Sequence, residues 1–489
     1  MHVDGRRLSE GGLLHEHPSL ELSIRAHMRK ASRWAGLLLL LSTACQESTP
    51  ASRLSHHAGL APAVSCAGGP EAPPPAVFQR TGASNHSSAA IVGPKDCAQT
   101  DIEKFYSQNH LPRIDLRLSP EAWQGLLDEP REYQPGVLIY QGDEWPDVGI
   151  RLKGRNSFRT LEEKPSFKIK VNEFRKGQRF GGRRRLTLNN TVQDPSMLRE
   201  RLGYLLLREA GVEAPRCNHA EVYVNGKYFG LYVNLETMDV EFVEAHYPKP
   251  HGNLYDLSGE IYNIDINRDD EPPFWRLGVP AVEDRFVLET NKSSGDTSDL
   301  AQLIDKVSSG PDATWIQDAE SVLDLDQWLR VGAVQGVIAD WDSYFGGTNN
   351  YKLYNETGRD RFVLLPWGID QTFGIRKRSY EGVGYRIDGS SSGRSNGLIF
   401  ERCKQSEACF ARYLVQVRGV MEAWARLGME DRIAGILPQI GPLIESDPRR
   451  PQTLSAHRQA VQDLQTFLVE RPAEVQEQLA GPRKRLPQP

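Results

Sequence analysis

Asp340, Asp342, Asn349, Asn350 and Asp370 bring carboxylates and amides into one stretch of chain, DWDSYFGGTNNYKLYNETGRDRFVLLPWGIDQTFG. Hard oxygen donors of this kind suit a Mg²⁺ or Mn²⁺ ion that also holds phosphate oxygens. Taken singly, an Asp or Asn beside a turn usually bonds its own backbone. The chemistry therefore depends on whether the intervening elements gather these side chains at one point.

Two apolar runs meet that need. Tyr351 to Tyr354 and Phe362 to Leu365 are separated by a polar turn containing Gly358, the pattern of a β-hairpin. In an antiparallel pair the residues before the first strand and after the second emerge at the same end, so Asn349 and Asn350 should lie beside Gly368 to Asp370. Asp340 and Asp342, a few residues upstream, can reach the same spot. The sequence leaves open which of Asp340 and Asp342, and which of Asn349 and Asn350, takes part. Carboxylate, amide, hairpin and carboxylate, in that order, is how a protein kinase assembles its phosphoryl-transfer site. Here the last element ends Asp370-x-x-Phe373-Gly374, and neither an HRD nor a DFG triplet occurs.

With 489 residues and 39% apolar content, the chain can bury a large core and make two or three structural units. Its net charge of −5 gives no reason to expect nucleic acid as a partner. Basic residues cluster locally in Lys176 to Arg185, which reads as a solvated loop. Near the N-terminus Arg29, Lys30 and Arg33 precede the apolar run Trp34 to Leu41, followed by small residues and Cys45, the layout of a secretory signal. Leu41-Ser-Thr-Ala-Cys45 resembles a bacterial lipobox with Ser42 where Leu or Val is usual. The expectation is a signal over 28–44, translation starting at Met28 with 1–27 upstream of it, and Cys45 as a lipidated mature N-terminus. The apolar run is too short to cross a bilayer permanently. Membrane contact is then through the lipid alone, on an exported envelope protein, and Gln46 resembles the pattern of lipoproteins sent to an outer membrane. In that compartment Cys403 and Cys409 are close enough in sequence to form a disulfide; Cys66 can pair with Cys97, and Cys217 is left as a buried thiol.

From Cys45 to about Thr100 the chain is rich in Ala, Pro, Ser and Gly and reads as a disordered tether. A folded body follows over 101–480: a small lobe at 101–240, an insertion and catalytic core at 241–406, and closing helices at 407–480. Strand patterns occupy Arg113 to Leu118, Gly136 to Tyr140, Asp147 to Lys153 and Ser166 to Val171. Basic and apolar residues alternate in Gly149 to Asn156 and Lys164 to Lys170, so their charges share one face of adjacent strands, suited to phosphates or to plain solvation. After the capping signal Asp194-Pro-Ser196, Met197 to Ala210 has helical spacing. Ala220 to Leu235 is a hairpin around Asn225-Gly226, closed by Glu236. His251 to Asn291 is weakly patterned and reads as an insertion. Helices resume at Asp299 to Ser308 and Asp324 to Ala339, the Gly/Ser-rich Tyr380 to Asn396 sits where a lid loop would, and three helical patterns run from Glu407 to about Leu479.

These segments together resemble the CotH family, the spore-coat protein H kinases, over roughly Asp115 to Leu479. The resemblance lies in GIRLKGRNS with KPSFKIKV, DPSMLRERLGYLLLREAG, EVYVNGKYFGLYVNLETMD, DWDSYFGGTNNYKLY with LLPWGIDQTFG, and the closing FLVERPAEVQEQL. It implies an α+β, bilobal, atypical protein-kinase-like fold with a sheet-rich N-terminal lobe and a mostly helical C-terminal lobe. It also implies transfer of the ATP γ-phosphate to a protein hydroxyl. Asp342 would take the catalytic-loop position, Asn350 and Asp370 the metal, Lys153 and Lys168 the phosphates, and Glu236 a place near the nucleotide. Where the family commonly reads Trp-Asp-x-Asp, this chain has Trp367-Gly368-Ile369-Asp370, one acid fewer beside the metal.

Three function classes fit the residues, in this order: an exported lipoprotein kinase using ATP with Mg²⁺ or Mn²⁺ on a protein substrate; a non-catalytic surface or coat-type scaffold keeping the fold; and a metal-dependent hydrolase. The last lacks a second oxygen cluster for two metals.

Overall fold

A computed structural model of the chain describes residues 100–257, 265–266, 285–309, 311–375, 385–389 and 396–481. The signal, Cys45, the tether, the Cys66 and Cys97 pairing and most of the Tyr380 to Asn396 loop lie outside the described residues.

Period-two alternation builds the N-terminal lobe. Strands β1 (Arg113–Leu118), β2 (Gln134–Tyr140), β3 (Asp143–Lys153), β4 (Ser166–Lys170), β5 (Arg185–Asn189), β6 (Cys217–Val224) and β7 (Lys227–Leu235) close into a barrel of order β1-β2-β3-β4-β5-β7-β6. The closing pair, β1 with β6, is parallel. Ile150, Leu152, Phe167, Ile169, Leu186 and Leu188 fill its interior. Their strand neighbours Arg151, Lys153, Lys168 and Arg185 therefore point the other way, with Arg151 directly opposite Lys168. Asn225 and Gly226 both take positive φ, as the two-residue hairpin turn requires.

Helix α1 (Ile102–Phe105) precedes the barrel, α2 (Pro120–Asp128) joins β1 to β2, and α3 (Arg199–Glu209) joins β5 to β6. Besides the four-residue α1, two elements of this lobe escape the sequence reading. Ser119 caps α2 through Ala122 N–H, with proline at the start, but its apolar stripe is short. Strand β5 begins at Arg185, the last residue of the basic cluster taken for a loop.

The C-terminal lobe contains a smaller sheet in the order β11-β10-β8-β9, from β8 (Leu254–Leu257), β9 (Phe286–Leu288), β10 (Tyr351–Glu356) and β11 (Arg361–Pro366). The supposed insertion thus contributes two strands, too short to show a period. Around the sheet stand α4 (Val240–His246), α5 (Ser298–Ser308), α6 (Trp315–Val322), α7 (Leu325–Val337), α8 (Tyr344–Gly347), α9 (Leu398–Gln405), α10 (Glu407–Leu427), α11 (Met429–Ser446) and α12 (Leu454–Ala480). The disulfide Cys403–Cys409 links α9 to α10, and Cys217 is a buried free thiol. The fold is α+β, sheet-rich in its N-terminal lobe and mostly helical in its C-terminal lobe.

The closing helices grip both lobes. Between α11 and α12, the Asp447 carboxylate accepts from Lys164 Nζ at 2.6 Å and from Leu231 N–H at 3.0 Å. Arg449 Nη1 donates to the carbonyls of Leu161, Glu162 and Glu163 at 2.8–2.9 Å, with its guanidinium 4.1 Å above the Phe229 ring. Further on, Arg471, with no exposed surface, donates to the carbonyls of Val337 and Gly336 at the end of α7. A cation there satisfies the helix's last acceptors and opposes its dipole.

Because the Lys164–Asp447 pair has side-chain exposures of 2% and 0%, removing one partner strands a buried charge. Asp447→Ala is expected to lower unfolding free energy by about 3–5 kcal/mol. Asp447→Leu combined with Lys164→Met should recover most of that loss. Chemical denaturation checks both, and a near-neutral Asp447→Ala would contradict the assignment.

Candidate active site

The hairpin of β10 and β11 sets the site. Tyr351 pairs with Pro366 and Trp367 N–H donates to Asn350 C=O at 3.0 Å, so the ends of the two strands leave the sheet side by side. Gly368 takes φ +58°, and a Cβ there would stand 3.0 Å from Asn350 Cγ and Oδ1. Asn350 is itself left-handed, at φ 52°. Its Nδ2 donates to Asp342 twice, to Oδ2 at 3.0 Å and to the backbone C=O at 2.9 Å, while Asn349 Nδ2 donates to Asp342 Oδ1 at 3.2 Å. Both asparagines thus aim the Asp342 carboxylate. Committing Nδ2 leaves Asn350 Oδ1 as the free oxygen.

Asp342, Asn349, Asn350, Gly368 and Asp370 line one cleft of about 360 Å³. Asp340 does not: it is buried beneath the loop, where burial and then the Asp342 charge push its carboxyl well above the usual range. Opposite stand Lys153, Asn189 and Glu200. Lys153 Nζ donates to Asn189 Oδ1 at 2.6 Å, and Asn189 Nδ2 donates to both Glu200 oxygens at 2.8 and 3.1 Å. Lys153 also lies 5.8 Å from the Trp367 ring centroid.

Charge couples the two sides. Burial lowers the Lys153 ammonium, while Glu200 and Asp370 pull it back up. Burial pushes Glu200 up to about 6, against the Asn189 hydrogen bond and the Lys153 charge. Asp370 is raised by burial and then by Glu200. A cation near Asp370 would relieve both carboxylates. Asp194 orders this region: it accepts from Arg199 N–H and Nη1, and Arg199 Nε donates to Thr372 C=O just past Asp370. Gly203 on α3 meets Ile369 with no room for a Cβ.

The remaining expected residues lie elsewhere. Lys168 is on the same barrel face as Lys153 but outside the cleft lining; burial and then the cations Lys352, Arg151, Arg185 and Lys153 lower its ammonium to about 8. Glu236, expected near nucleotide, is not brought to the cleft. It is 1% exposed, and Arg216 and Arg183 hold its carboxylate. Burial alone would raise it, but His246, Arg216 and Arg183 leave it well below the usual carboxylate range. Sequence reasoning passed over Asn189 and Glu200. Asn189 ends an alternating run, Leu186-Thr-Leu188-Asn, where an amide has no propensity reason to sit. Glu200 sits in the first turn of a helix, an ordinary place for an acid, and its burial could not be read.

Among the described residues no cluster of three or more His, Cys, Asp or Glu is placed to hold a metal by itself. Asp370 and the free Asn350 oxygen nevertheless fit an ion whose other ligands are phosphate and water oxygens.

Comparison with known proteins points one way. A family model described as CotH kinase protein matches residues 150–475. The inner spore coat protein H of Bacillus subtilis (strain 168) is 25% identical over 343 residues, covering 70% of this chain and 90% of that protein. Invasin CotH3 of Rhizopus delemar is 25% identical over 214 residues, covering 42% of this chain and 34% of its own length. Among solved structures, the Helicobacter pylori proinflammatory kinase CtkA aligns with 75% of this chain and 96% of its own at 8% identity and a TM-score of 0.29, too remote to decide anything by itself. The family model spans well over half the chain, including both faces of the cleft, and the chain belongs to the CotH family.

Proposed function

We propose that the protein is an exported lipoprotein kinase that transfers the ATP γ-phosphoryl group to a hydroxyl of a protein substrate. One observation carries the reading: the Asp342–Asn350 pair and Asp370 share a cleft with the Lys153–Asn189–Glu200 chain. Asp370 and Asn350 Oδ1 would hold a Mg²⁺ or Mn²⁺ ion, which when bound supplies positive charge against the transferring phosphoryl oxygens. Asp342, fixed by two amides, is oriented to accept the proton of an acceptor hydroxyl. Lys153, held by Asn189, offers its ammonium to phosphate oxygens, and Lys168 adds positive potential behind it.

Gly368 favours a second reading, a scaffold that keeps the fold without the chemistry, because the position carries no acid and packs on Asn350. Glu200 speaks against it, since it supplies a second carboxylate whose field reaches Asp370.

Asp370→Asn is expected to cut labelled-phosphate incorporation from ATP by about 10²-fold or more with an unchanged melting temperature. Asp342→Asn should behave alike. A full rate for Asp370→Asn in an active background contradicts the metal assignment; a wild type that binds no nucleotide at all favours the scaffold.

The Lys168 ammonium loses its proton as pH rises through about 8, so nucleotide affinity should weaken across that value and Lys168→Met should flatten the dependence. Folding stability runs the other way. The ordinary value is 10.5, so between the two values the unfolded chain holds a proton that the folded one lacks, and stability rises with pH. Calorimetric titration of nucleotide and pH-dependent unfolding read the two effects separately.

Mass spectrometry of the protein from its native membrane should find a lipidated Cys45 as the N-terminal residue. A chain retaining residues 1–27 and an unmodified Cys45 would contradict export as a lipoprotein.

A further inference from the structure

Behind the Asp342 loop, three polar side-chain atoms are buried with no hydrogen-bond partner: Gln335 Nε2, Gln335 Oε1 and Asp340 Oδ2. Gln335 is 2% exposed and lies in the last turn of α7; Asp340 is 6% exposed and lies just past the left-handed Ala339. A buried polar atom left unsatisfied keeps its full desolvation penalty, and native interiors rarely tolerate a cluster. Both side chains line one small cavity of about 40 Å³.

The chain packs tightly at the glycines that border the cavity. A Cβ at Gly336 would meet Ile387 O at 2.8 Å, one at Gly346 would meet Asp340 O at 2.7 Å, and one at Gly332 would strike the Phe345 ring at 2.5 Å. A water site needs about 10–15 Å³ and two to four polar partners, so the volume suits one or two waters. The donor at Gln335 Nε2 disfavours a cation, whereas water can accept from it, donate to Gln335 Oε1, and either donate to or accept from the Asp340 carboxyl.

We infer that Gln335 and Asp340 share a built-in water site that fixes the Asp342 loop from behind. Asp340 transmits the constraint. Its Oδ1 accepts from Asp342 N–H at 3.3 Å, its C=O accepts from Ser343 Oγ at 2.9 Å, and its own N–H donates to Gln335 C=O at 2.8 Å. Gln335 is therefore a positioning residue, acting on Asp342 through water and Asp340. The catalytic consequence rests on the kinase reading, but the site itself does not.

The test is a high-resolution crystal structure of the full chain, with amide hydrogen exchange at Asp342, for wild type, Gln335→Met and Gln335→Glu. Wild type should show ordered water about 2.6–3.2 Å from both the Gln335 amide and the Asp340 carboxyl. Gln335→Met, of similar length but apolar, should expel the water and speed exchange at Asp342, and Gln335→Glu should restore both. In an active background Gln335→Met should lower kcat about 10- to 100-fold with KM for ATP unchanged, since only the aim of Asp342 is lost. A dry cavity in wild type, or a Gln335→Met variant with unaltered Asp342 exchange, overturns the inference. An inactive wild type with the water in place defeats the kinase reading and leaves the water site standing.

Discussion

The antiparallel register that sets Tyr351 opposite Pro366 is the constraint on which the cleft depends. A slip of one residue in a β-pair turns every side chain to the other face. It would carry Asn350 away from Gly368, release Asp342 from its two amide donors and leave Asp370 facing nothing. Both faces of the pair are enclosed, Tyr351, Leu353 and Leu364 in the main core and Tyr354, Val363 and Leu365 in a second cluster, so a slip would exchange the partners of two packed faces at once. Apolar packing thus determines where the polar groups stand.

The opposite face is placed by a different device. Lys153 ends a barrel strand, and it is tied to α3 through a single amide, Asn189. A direct ammonium–carboxylate contact would be stronger as a pair but would leave less of the lysine for a ligand; the intervening amide keeps both charges facing the cleft. Burial raises both Glu200 and Asp370, and the Glu200 charge raises Asp370 further, so the site holds more negative charge than it can comfortably ionise. Positive charge arriving in the cleft, from a lysine or an ion, would be stabilised by that imbalance. The closing helices keep the two faces in relation, with Asp447 and Arg449 on the barrel and Arg471 at the end of α7.

Much of this was legible in the chain because it rests on short-range pattern. The hairpin ends, the Asn225-Gly226 turn, the helix after Asp194-Pro-Ser196 and the basic face of β3 and β4 all follow from periods of two or 3.6 and from turn residues. Closure of the barrel was not legible, since β1 meets β6 across about a hundred residues and no local signal marks the pairing. Glu236 misled for a related reason. Its place at the end of β7 was right, but its carboxylate is taken up by Arg216, directly opposite it across the hairpin, and by Arg183 from before β5. Glu200 stayed hidden because only tertiary contacts reveal its burial, and Asp340 could be told from Asp342 only once the loop's inner and outer sides were known.

One cleft is proposed to hold nucleotide and a divalent ion between Asp370 and Lys153. A crystal structure of the full chain with a non-hydrolysable ATP analogue and Mn²⁺, read by the anomalous signal of the metal, tests it most directly. Manganese is expected on the Asp370 carboxylate and Asn350 Oδ1, with the terminal phosphate within reach of Lys153. Manganese or nucleotide located elsewhere, with this cleft filled only by solvent, would contradict it.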